Sequence, residues 1–263
     1  MISRILILIF CVMLFSCQNA NKNSKVIEKN LTLLPDSLIN AIKVCTEMPV
    51  PDTSRDGKPL SGRKWSFWDK YKRTLYVAFI DGDPIVQEKV IAVAKEWENY
   101  CNKEFLFING TQKDIEPDIT VSFKEIGSWS EIGKVSKLKV PSMNLGWLKP
   151  DTDDEEYRRV VLHEFGHALG LVHEHQNPNY KINWNKENIY AYYFQKFGWQ
   201  KELTDKNFFQ VYNANQMNSS AFDSLSIMLY EIPAVFTTDG FKTKANTQLS
   251  ETDKKWIGII YPK

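Results

Sequence analysis

The chain has 263 residues and a formal net charge of +1, and its cations form no basic block. This balance excludes the electrostatic footprint of a nucleic-acid-binding protein, so we expect no nucleic-acid partner. Hydrophobic residues make up 43% of the chain and aromatic residues 13%, which is enough to fill the core of one domain of about 200 residues.

Residues 1–16 are predicted to be a signal peptide. Arg4 supplies a positive charge, and the apolar run 5–15 has the length of a signal sequence and is too short to span a membrane. The run ends at Cys17, in a stretch that resembles the lipobox of bacterial lipoproteins. Cleavage before Cys17 would leave a lipid-modified cysteine that anchors the protein in the bacterial cell envelope, at the outer membrane or the cell surface. The alternative is a secretory signal in which Cys17 is incidental and the protein is secreted.

Residues 17–60 are predicted to be a tether followed by a loosely structured lead segment. The sequence is polar over 18–30, and proline and glycine then interrupt the apolar stretches over 31–63. A helix is expected over 37–44. Both a short pro-segment and a strap across the domain fit this composition.

The next part of the chain has the pattern of a strand–helix–strand unit. The run 74–80 is predicted to be a buried strand, and Asp83 with Pro84 then marks the start of a helix that continues to about Asn102. Further strands are predicted over 105–108 and 119–123. This order and spacing indicate a βαβ unit in a mainly parallel sheet.

A glycine- and proline-rich stretch over 124–150 separates these strands from the next helix. A connection of this length is usually functional, and we expect 127–133 and 142–148 to lie beside a cleft. The helix that follows is predicted to start near Asp153, with Asp151 or Thr152 as its cap.

The C-terminal part of the chain shows two local signals. An aromatic stretch over 184–199 is interpreted as the core of a second lobe rather than as a carbohydrate-binding platform. Residues 250–253 resemble a capping box, which predicts a final helix at the end of the chain.

All four histidines lie within positions 163–175, where the sequence reads H-E-x-x-H-x-x-G-x-x-H from His163 to His173. In an α-helix four residues turn by about 400°, so His163 and His167 lie on one face and can reach one ion. Gly170 follows the last helical turn, and a positive φ there can reverse the chain and bring His173 to the same ion.

Three imidazole ligands leave a fourth position for water, which is the catalytic rather than the structural arrangement of zinc. The sequence therefore predicts one catalytic Zn²⁺ held by His163, His167 and His173. Glu164 is offset by about 100° from His163 and can reach a ligand of the metal without displacing a histidine. His175 has no geometric reason to join the site and is expected behind the ligands or on the surface. Two surface histidines on an ordinary helix are the alternative to the metal site.

The segment 159–178 resembles the active-site stretch of astacin-like bacterial metzincins, in which Glu174 is the usual residue after the third histidine. Downstream, residues 222–230 resemble the Met-turn of that family, with Leu229 in place of the usual histidine. The resemblance extends over about 64–262.

The resemblance implies an α+β fold of the metzincin type in a catalytic domain over 61–263. Its N-terminal lobe, to about residue 170, is expected to hold a twisted, mainly parallel five-stranded sheet and two long helices. Its C-terminal lobe, over 171–263, is expected to be irregular with a final helix, and the active-site cleft lies between the lobes. In metzincins the stretch that corresponds to 124–150 carries the edge strand that pairs with the substrate backbone.

The resemblance also implies roles for single residues. Glu164 would be the general base and acid, Met228 an apolar floor beneath the zinc ligands, and Tyr230 a fifth, swinging zinc ligand whose phenol stabilises the oxyanion. Ordinary core packing is the alternative for Met228 and for Tyr230. The chain departs from the family pattern at 176–178, where it reads Gln-Asn-Pro, and this departure leaves the substrate preference open.

Apart from the predicted lipidation site Cys17, two cysteines remain after the leader is removed, Cys45 and Cys101. In a chain sent to an oxidising compartment, a disulfide between them is the favoured interpretation. The alternative is that Cys45 is a thiolate that blocks the zinc in a latent form.

The sequence thus predicts a zinc-dependent endopeptidase that acts on protein or peptide substrates as a monomer. One alternative is a zinc-binding surface or adhesion lipoprotein without turnover. The other is a zinc amidase that acts on cell-wall peptide.

Overall fold

A computed structural model describes four parts of the chain, residues 33–42, 66–108, 114–209 and 221–263. The expected signal peptide, the lipidation site Cys17 and the thiol of Cys45 lie outside these ranges. Within them, no helix has both the length and the apolar character that crossing a membrane requires.

The first described element is a short helix that packs on the C-terminal lobe. α1 (Asp36–Ala41) lies where the sequence predicts a helix. The side-chain amide of Gln195 forms hydrogen bonds with both the backbone N–H and the carbonyl of Leu34, at 2.9 and 3.0 Å. Lys196 donates its ammonium to two backbone carbonyls at the end of the same segment, at 2.8 and 3.0 Å. These contacts hold residues 33–42 against the lobe.

The N-terminal lobe is built on one five-stranded sheet. Its elements in chain order are β1 (Thr74–Phe79), α2 (Pro84–Ala94), β2 (Glu104–Ile108), β3 (Ile119–Ser122), β4 (Ser128–Ser130), β5 (Met143–Leu145) and α3 (Asp154–Ala168). The strand order is β2-β1-β3-β5-β4, and every neighbouring pair is parallel except β5 and β4. The predicted βαβ unit and the mainly parallel sheet are confirmed.

The helix after β1 is shorter than predicted. Asp83 accepts a hydrogen bond from the backbone N–H of Ile85, and Pro84 occupies the first helical position, as expected. The α-helix ends at Ala94 instead of near residue 102, and the chain tightens into a 3₁₀ turn over Lys95–Asn99. In this turn the fully buried indole of Trp97 donates to the carbonyl of Leu162 at 3.0 Å, which ties the turn to α3.

Helix α3 lies at the centre of the molecule. Its cap is Asp153, whose carboxylate accepts from the backbone N–H of Glu155. The predicted caps Asp151 and Thr152 are therefore wrong, since the helix starts one residue later and the residue in extended conformation before it is Asp153. From Val160 to its end every side chain of α3 is buried, because the sheet covers one side and the C-terminal lobe the other.

The C-terminal lobe holds α4 (Lys186–Phe197), α5 (Lys201–Thr204) and α6 (Glu251–Ile260). The aromatic residues of α4 form an apolar cluster with its neighbours, as predicted for the core of a second lobe. Ser250 and Asp253 form the predicted capping box at the start of α6. The mixed fold with a parallel sheet, a central helix and an irregular second lobe agrees with the α+β prediction.

The predicted disulfide partner of Cys101, Cys45, lies outside the described residues, and within them Cys101 is a free, buried thiol. Its Sγ lies 3.4 Å from the carbonyl of Trp97, inside the main core cluster. Because the side chain points into packed apolar residues, burial raises the pKa of the thiol. The alternative role of Cys45 concerns a residue outside the described ranges.

Candidate metal centre

The end of α3 is shaped by Gly170. This residue has φ of +103°, which is a left-handed conformation that favours glycine. The N–H of Gly170 donates to the carbonyl of His167 at 2.7 Å, and the N–H of Leu171 donates to the carbonyl of Gly166 at 3.0 Å. Together these bonds form a Schellman motif, which ends the helix and reverses the chain.

The reversal brings the third histidine to the other two. Ligand atoms of His163, His167 and His173 lie within 4.8 Å of one another, and all three side chains are buried. The Nε2 atoms of His167 and His173 are 3.0 Å apart. The structure thus brings together the three residues that the sequence predicts as metal ligands.

Backbone carbonyls fix the orientation of two of these rings. Nδ1 of His163 lies 2.8 Å from the carbonyl of Ile227, and Nδ1 of His167 lies 2.9 Å from the carbonyl of Leu171. A carbonyl only accepts, so each Nδ1 carries the hydrogen and each Nε2 presents a lone pair. Burial, followed by the neighbouring imidazoles, lowers the pKa of His163 well below its ordinary value, which keeps the ring in the neutral form that binds metals.

The donor set fits zinc. The Nε2 atom of His163 is buried and has no hydrogen-bond partner within the described parts of the chain, although buried polar atoms are normally paired. Neutral imidazoles whose Nδ1–H groups donate to carbonyls, as in His163 and His167, are oriented in the way that is usual for histidine ligands of zinc. The residues present could therefore hold one zinc ion.

Glu164 lies beside this cluster and is also buried. It lines a recess between the lobes together with His163, Trp147, Arg159, Val160, Ile227, Leu229, Tyr230, Glu231, Ala245 and Asn246. The stretch 142–148, expected beside the cleft, contributes Trp147 to this wall. The carboxylate-bearing side chain of Glu164 and the ring of His163 thus line the same recess.

Met228 lies beneath α3, next to its one internal glycine. A Cβ atom on Gly166 would lie 2.5 Å from the Met228 sulfur. The Met-turn therefore approaches α3 more closely than any side chain at position 166 would permit. Met228 is buried in the main core cluster together with Phe165. It therefore lies where an apolar floor was expected, and it packs as a core residue at the same time.

Tyr230 follows two residues later and faces the histidines. Its hydroxyl lies 3.1 Å from Nδ1 of His173, and its ring centroid is 4.2 Å from that of His173. The ring also stacks on His163, with 5.8 Å between centroids. The phenol can therefore reach the metal-binding cluster without a large displacement.

Glu174 connects the third histidine to the Met-turn. Its carboxylate accepts from the side-chain amide of Asn177 at 2.8 Å and from the backbone N–H of Asp223 at 3.0 Å. Burial raises the pKa of Glu174 to about 7. Asn177 belongs to the stretch in which the sequence departs from the family pattern, and here it supplies one partner of this carboxylate.

Two residues that sequence reasoning did not assign to the site support it from behind. Asp253, read from the sequence only as part of a cap, also accepts from the Ser226 hydroxyl and from the backbone N–H of Ile227. His175, which the sequence places either behind the ligands or on the surface, is buried and stacks on Tyr230. The spacing of the motif carries no signal for either contact, because both partners are distant in sequence.

Comparisons with known proteins agree with this geometry. The sequence model of the peptidase family described as Astacin matches residues 61–259. A structure of myroilysin is similar at 38% identity and a TM-score of 0.70, covering 77% of this chain and 98% of that chain. A second myroilysin crystal structure is 34% identical with a TM-score of 0.63, covering 89% and 98%.

A more distant structure shares the fold. It is high choriolytic enzyme 1 (HCE-1), a hatching enzyme zinc-protease from the medaka fish Oryzias latipes. It is 18% identical with a TM-score of 0.51, and the match covers 75% of this chain and 94% of that chain. No curated protein matches the chain.

Proposed function

Because the chain belongs to the astacin family of peptidases and is a zinc metalloendopeptidase, we propose that Glu164 is its general base and Tyr230 its oxyanion donor. Protein or peptide substrates follow from the family. The observation that carries the proposal is the convergence of His163, His167 and His173 beside a buried carboxylate.

When bound, zinc lowers the pKa of a water molecule toward about 7 and polarises a carbonyl group. Glu164 accepts a proton from the attacking water. It then returns this proton to the amine that leaves as the C–N bond breaks. The carboxylate lines the recess next to His163, so a scissile bond placed there lies within its reach.

Tyr230 is suited to stabilise the negative charge that develops on the carbonyl oxygen. Its hydroxyl lies 3.1 Å from Nδ1 of His173, at the edge of the metal-binding cluster. It also lines the recess in which Glu164 lies. A phenol that turns from His173 toward the substrate would donate a hydrogen bond to the oxyanion, and such donors are worth a large part of the rate.

The edge of the sheet is suited to hold the substrate backbone. Among the described strands, β4 pairs with β5 alone and so lies at one edge of the sheet. An extended peptide can add to such an edge by main-chain hydrogen bonds. This supports the placement of 127–133 at the substrate, as the resemblance implies.

A Glu164→Gln variant tests the assigned base. We expect it to bind zinc and to lose peptidase activity by at least about a hundredfold, because general base catalysis typically contributes about 10²–10⁴-fold. Zinc content by elemental analysis and turnover of a quenched fluorescent peptide are the two measurements. A zinc-loaded variant with wild-type turnover would exclude Glu164 as the base.

A Tyr230→Phe variant tests the oxyanion donor. It should fold and bind zinc, and its kcat should fall about 10²-fold with a smaller change in KM, as for other lost oxyanion donors. Unchanged kinetics would leave Tyr230 as a packing residue.

Removal of the metal separates this enzyme from a binding protein. A chelator should abolish hydrolysis of casein, and one equivalent of Zn²⁺ should restore it, because zinc supplies the Lewis acid. A chain that binds zinc but cleaves neither casein nor peptides would favour the adhesion lipoprotein. Cleavage of peptidoglycan fragments alone would favour the cell-wall amidase.

We further propose that the protein is secreted, anchored in the bacterial cell envelope through a lipid on Cys17, and active as a monomer. The support is the apolar run that ends at this cysteine and the polar sequence after it. Fractionation of cells that express the wild type and Cys17→Ser is the test. The wild type should sediment with membranes, and the variant should not carry a labelled fatty acid. Equal membrane association of both would indicate that Cys17 is incidental.

A further inference from the structure

We propose that His175 is a positioning residue that holds the phenol ring of Tyr230 against the metal-binding histidines. The proposal rests on the assignment of Tyr230 as the oxyanion donor. His175 itself is placed outside the reacting atoms, because it is buried and is not one of the three clustered ligands.

The ring of His175 stacks on Tyr230. The centroids of His175 and Tyr230 are 4.7 Å apart, with an angle of 29° between the ring planes. Tyr230 also stacks on His163, with 5.8 Å between centroids and an angle of 24°. A shift of the phenol ring would therefore change its packing against His175.

His175 is in turn held by the C-terminal lobe. Its ring stacks on Phe208 at 4.8 Å, and the indole of Trp184 meets it edge-on at 5.9 Å. Aromatic pairs of this geometry contribute about 0.5–1.5 kcal/mol each beyond the area that they bury. The ring also stacks on the predicted ligand His173, with 5.2 Å between centroids.

A hydrogen bond fixes the rotation of the ring. Nε2 of His175 lies 3.1 Å from the backbone carbonyl of Phe208. A carbonyl only accepts, so Nε2 carries the hydrogen and donates it. An imidazole supplies both the flat face and this donor, whereas phenylalanine would supply only the face.

The position of His175 along the chain also couples it to the site. It lies in the 3₁₀ turn Glu174–Gln176, which starts immediately after the ligand His173. A preorganised donor costs no reorganisation during the reaction, and displacement of a catalytic group by about 1 Å can cost about a hundredfold in rate. A rigid support for Tyr230 therefore preserves kcat.

A set of His175 variants tests the role. His175→Ala removes the face and the donor and should lower kcat about tenfold, with KM changed by less than about twofold. His175→Phe keeps the face and should recover part of the loss. Zinc content, measured on each variant, should stay at one per chain. Loss of zinc from His175→Ala would mean that the residue supports His173 rather than Tyr230, and would overturn the proposal.

A double-mutant cycle with Tyr230→Phe supplies the decisive comparison. If His175 acts through the phenol, His175→Ala should lower kcat little further once the hydroxyl is absent. An equal loss in both backgrounds would overturn the proposal while leaving Tyr230 as the donor. If Tyr230→Phe alone keeps full activity, Tyr230 is not the oxyanion donor. That outcome rejects the proposed role of Tyr230 and is distinguishable from a failure of the His175 proposal.

A crystal structure of zinc-loaded His175→Ala gives a readout besides activity. The Tyr230 ring should occupy a second rotamer or shift away from His173, and an unmoved, well-ordered ring would contradict the proposal. Trp199→Ala is the matched control, because Trp199 stacks on Tyr193 in the same aromatic cluster at 5.0 Å. This control should lower the melting temperature and leave kcat unchanged.

Discussion

The hydroxyl of Ser226 donates to the carboxylate of Asp253 across 2.7 Å. Ser226 begins the turn that carries Met228 and Tyr230, and Asp253 lies in the first turn of α6. The same carboxylate accepts from the backbone N–H of Ile227, whose carbonyl fixes the ring of His163. One buried side chain therefore ties the last helix to the turn beneath the metal-binding histidines.

Replacement of Asp253 by alanine should weaken both the fold and the site. The change removes the reciprocal partner of the capping box and leaves buried donors of the turn unpaired. We expect a loss of about 2–4 kcal/mol in the free energy of unfolding, since a lost cap costs about 1 kcal/mol and an unpaired buried group about 1–3 kcal/mol. Denaturant unfolding of the variant measures this loss.

Ser250→Ala is the control for Asp253→Ala. Ser250 caps the same helix, and its hydroxyl donates to Asp223 at 2.7 Å, at the start of the segment 222–230, and not to Ser226 or Ile227, which the carboxylate of Asp253 holds. It should cost about 1 kcal/mol and leave the zinc affinity unchanged. Asp253→Ala, in contrast, should bind zinc more weakly, because Ile227 no longer has a fixed position. Equal zinc affinity in both variants would show that the turn is held by other contacts.

Gly170→Ala should displace the third ligand. Its φ of +103° is strained for alanine, and the new Cβ would lie 2.5 Å from a ring carbon of Phe67. We expect the variant to bind zinc at least about tenfold more weakly, since a shift of the chain reversal moves His173 away from the other ligands. Competition with a chromophoric chelator measures the affinity.

Gly198→Ala is the control for Gly170→Ala, because it introduces the strain of a left-handed alanine without a steric clash of the new Cβ atom. Gly198 ends α4 with φ of +69°, and the space within 4 Å of the position that a Cβ atom would take is open. This variant should lose about 1–2 kcal/mol of stability, as expected for a left-handed alanine, and keep its zinc affinity. If both glycine variants bind zinc like the wild type, the conformation of Gly170 does not determine the position of His173.

The packing between α3 and the Met-turn predicts coupled effects at two positions. Gly166→Ala should destabilise the protein, because its Cβ would lie 2.5 Å from the Met228 sulfur. Met228→Ala should lower the free energy of unfolding by about 2–5 kcal/mol, as the truncation of other buried methionines does. The double variant should lose less than the sum of the two losses, because the smaller side chain makes room for the new methyl group. If the losses in the free energy of unfolding are additive, the residues at positions 166 and 228 do not contact each other closely enough to be coupled.

The parts of the molecule that the sequence predicts well are those with local signals. The metal ligands follow from helical spacing and one glycine, and Asp83 and Ser250 begin their helices with standard caps. The contacts of Asp253 and His175 could not be predicted in this way, because their partners lie 26–33 residues away and depend on tertiary packing. The disulfide between Cys45 and Cys101 stays a prediction, because Cys45 lies outside the described residues.

A buried lysine is a further feature without a local signal. Lys103 is almost fully buried, and its ammonium donates to the backbone carbonyls of Asp69 at 2.7 Å and Lys72 at 2.5 Å. It also lies over the ring of Tyr261, 4.5 Å from the centroid. One side chain thus holds the turn before β1 closed and joins it to the end of the chain.

Lys103→Met keeps an unbranched side chain that is one atom shorter and removes the three donors of the ammonium. We expect a loss of about 2–5 kcal/mol in the free energy of unfolding, because each carbonyl left buried without a partner costs about 1–3 kcal/mol and some will find water. Since the turn over Asp69–Lys72 contributes no residue to the recess beside Glu164, kcat should be unchanged below the melting temperature. Lys95→Met, an exposed lysine, should change stability by less than about 0.5 kcal/mol. A Lys103→Met protein as stable as this control would mean that the carbonyls of the turn are satisfied without the ammonium.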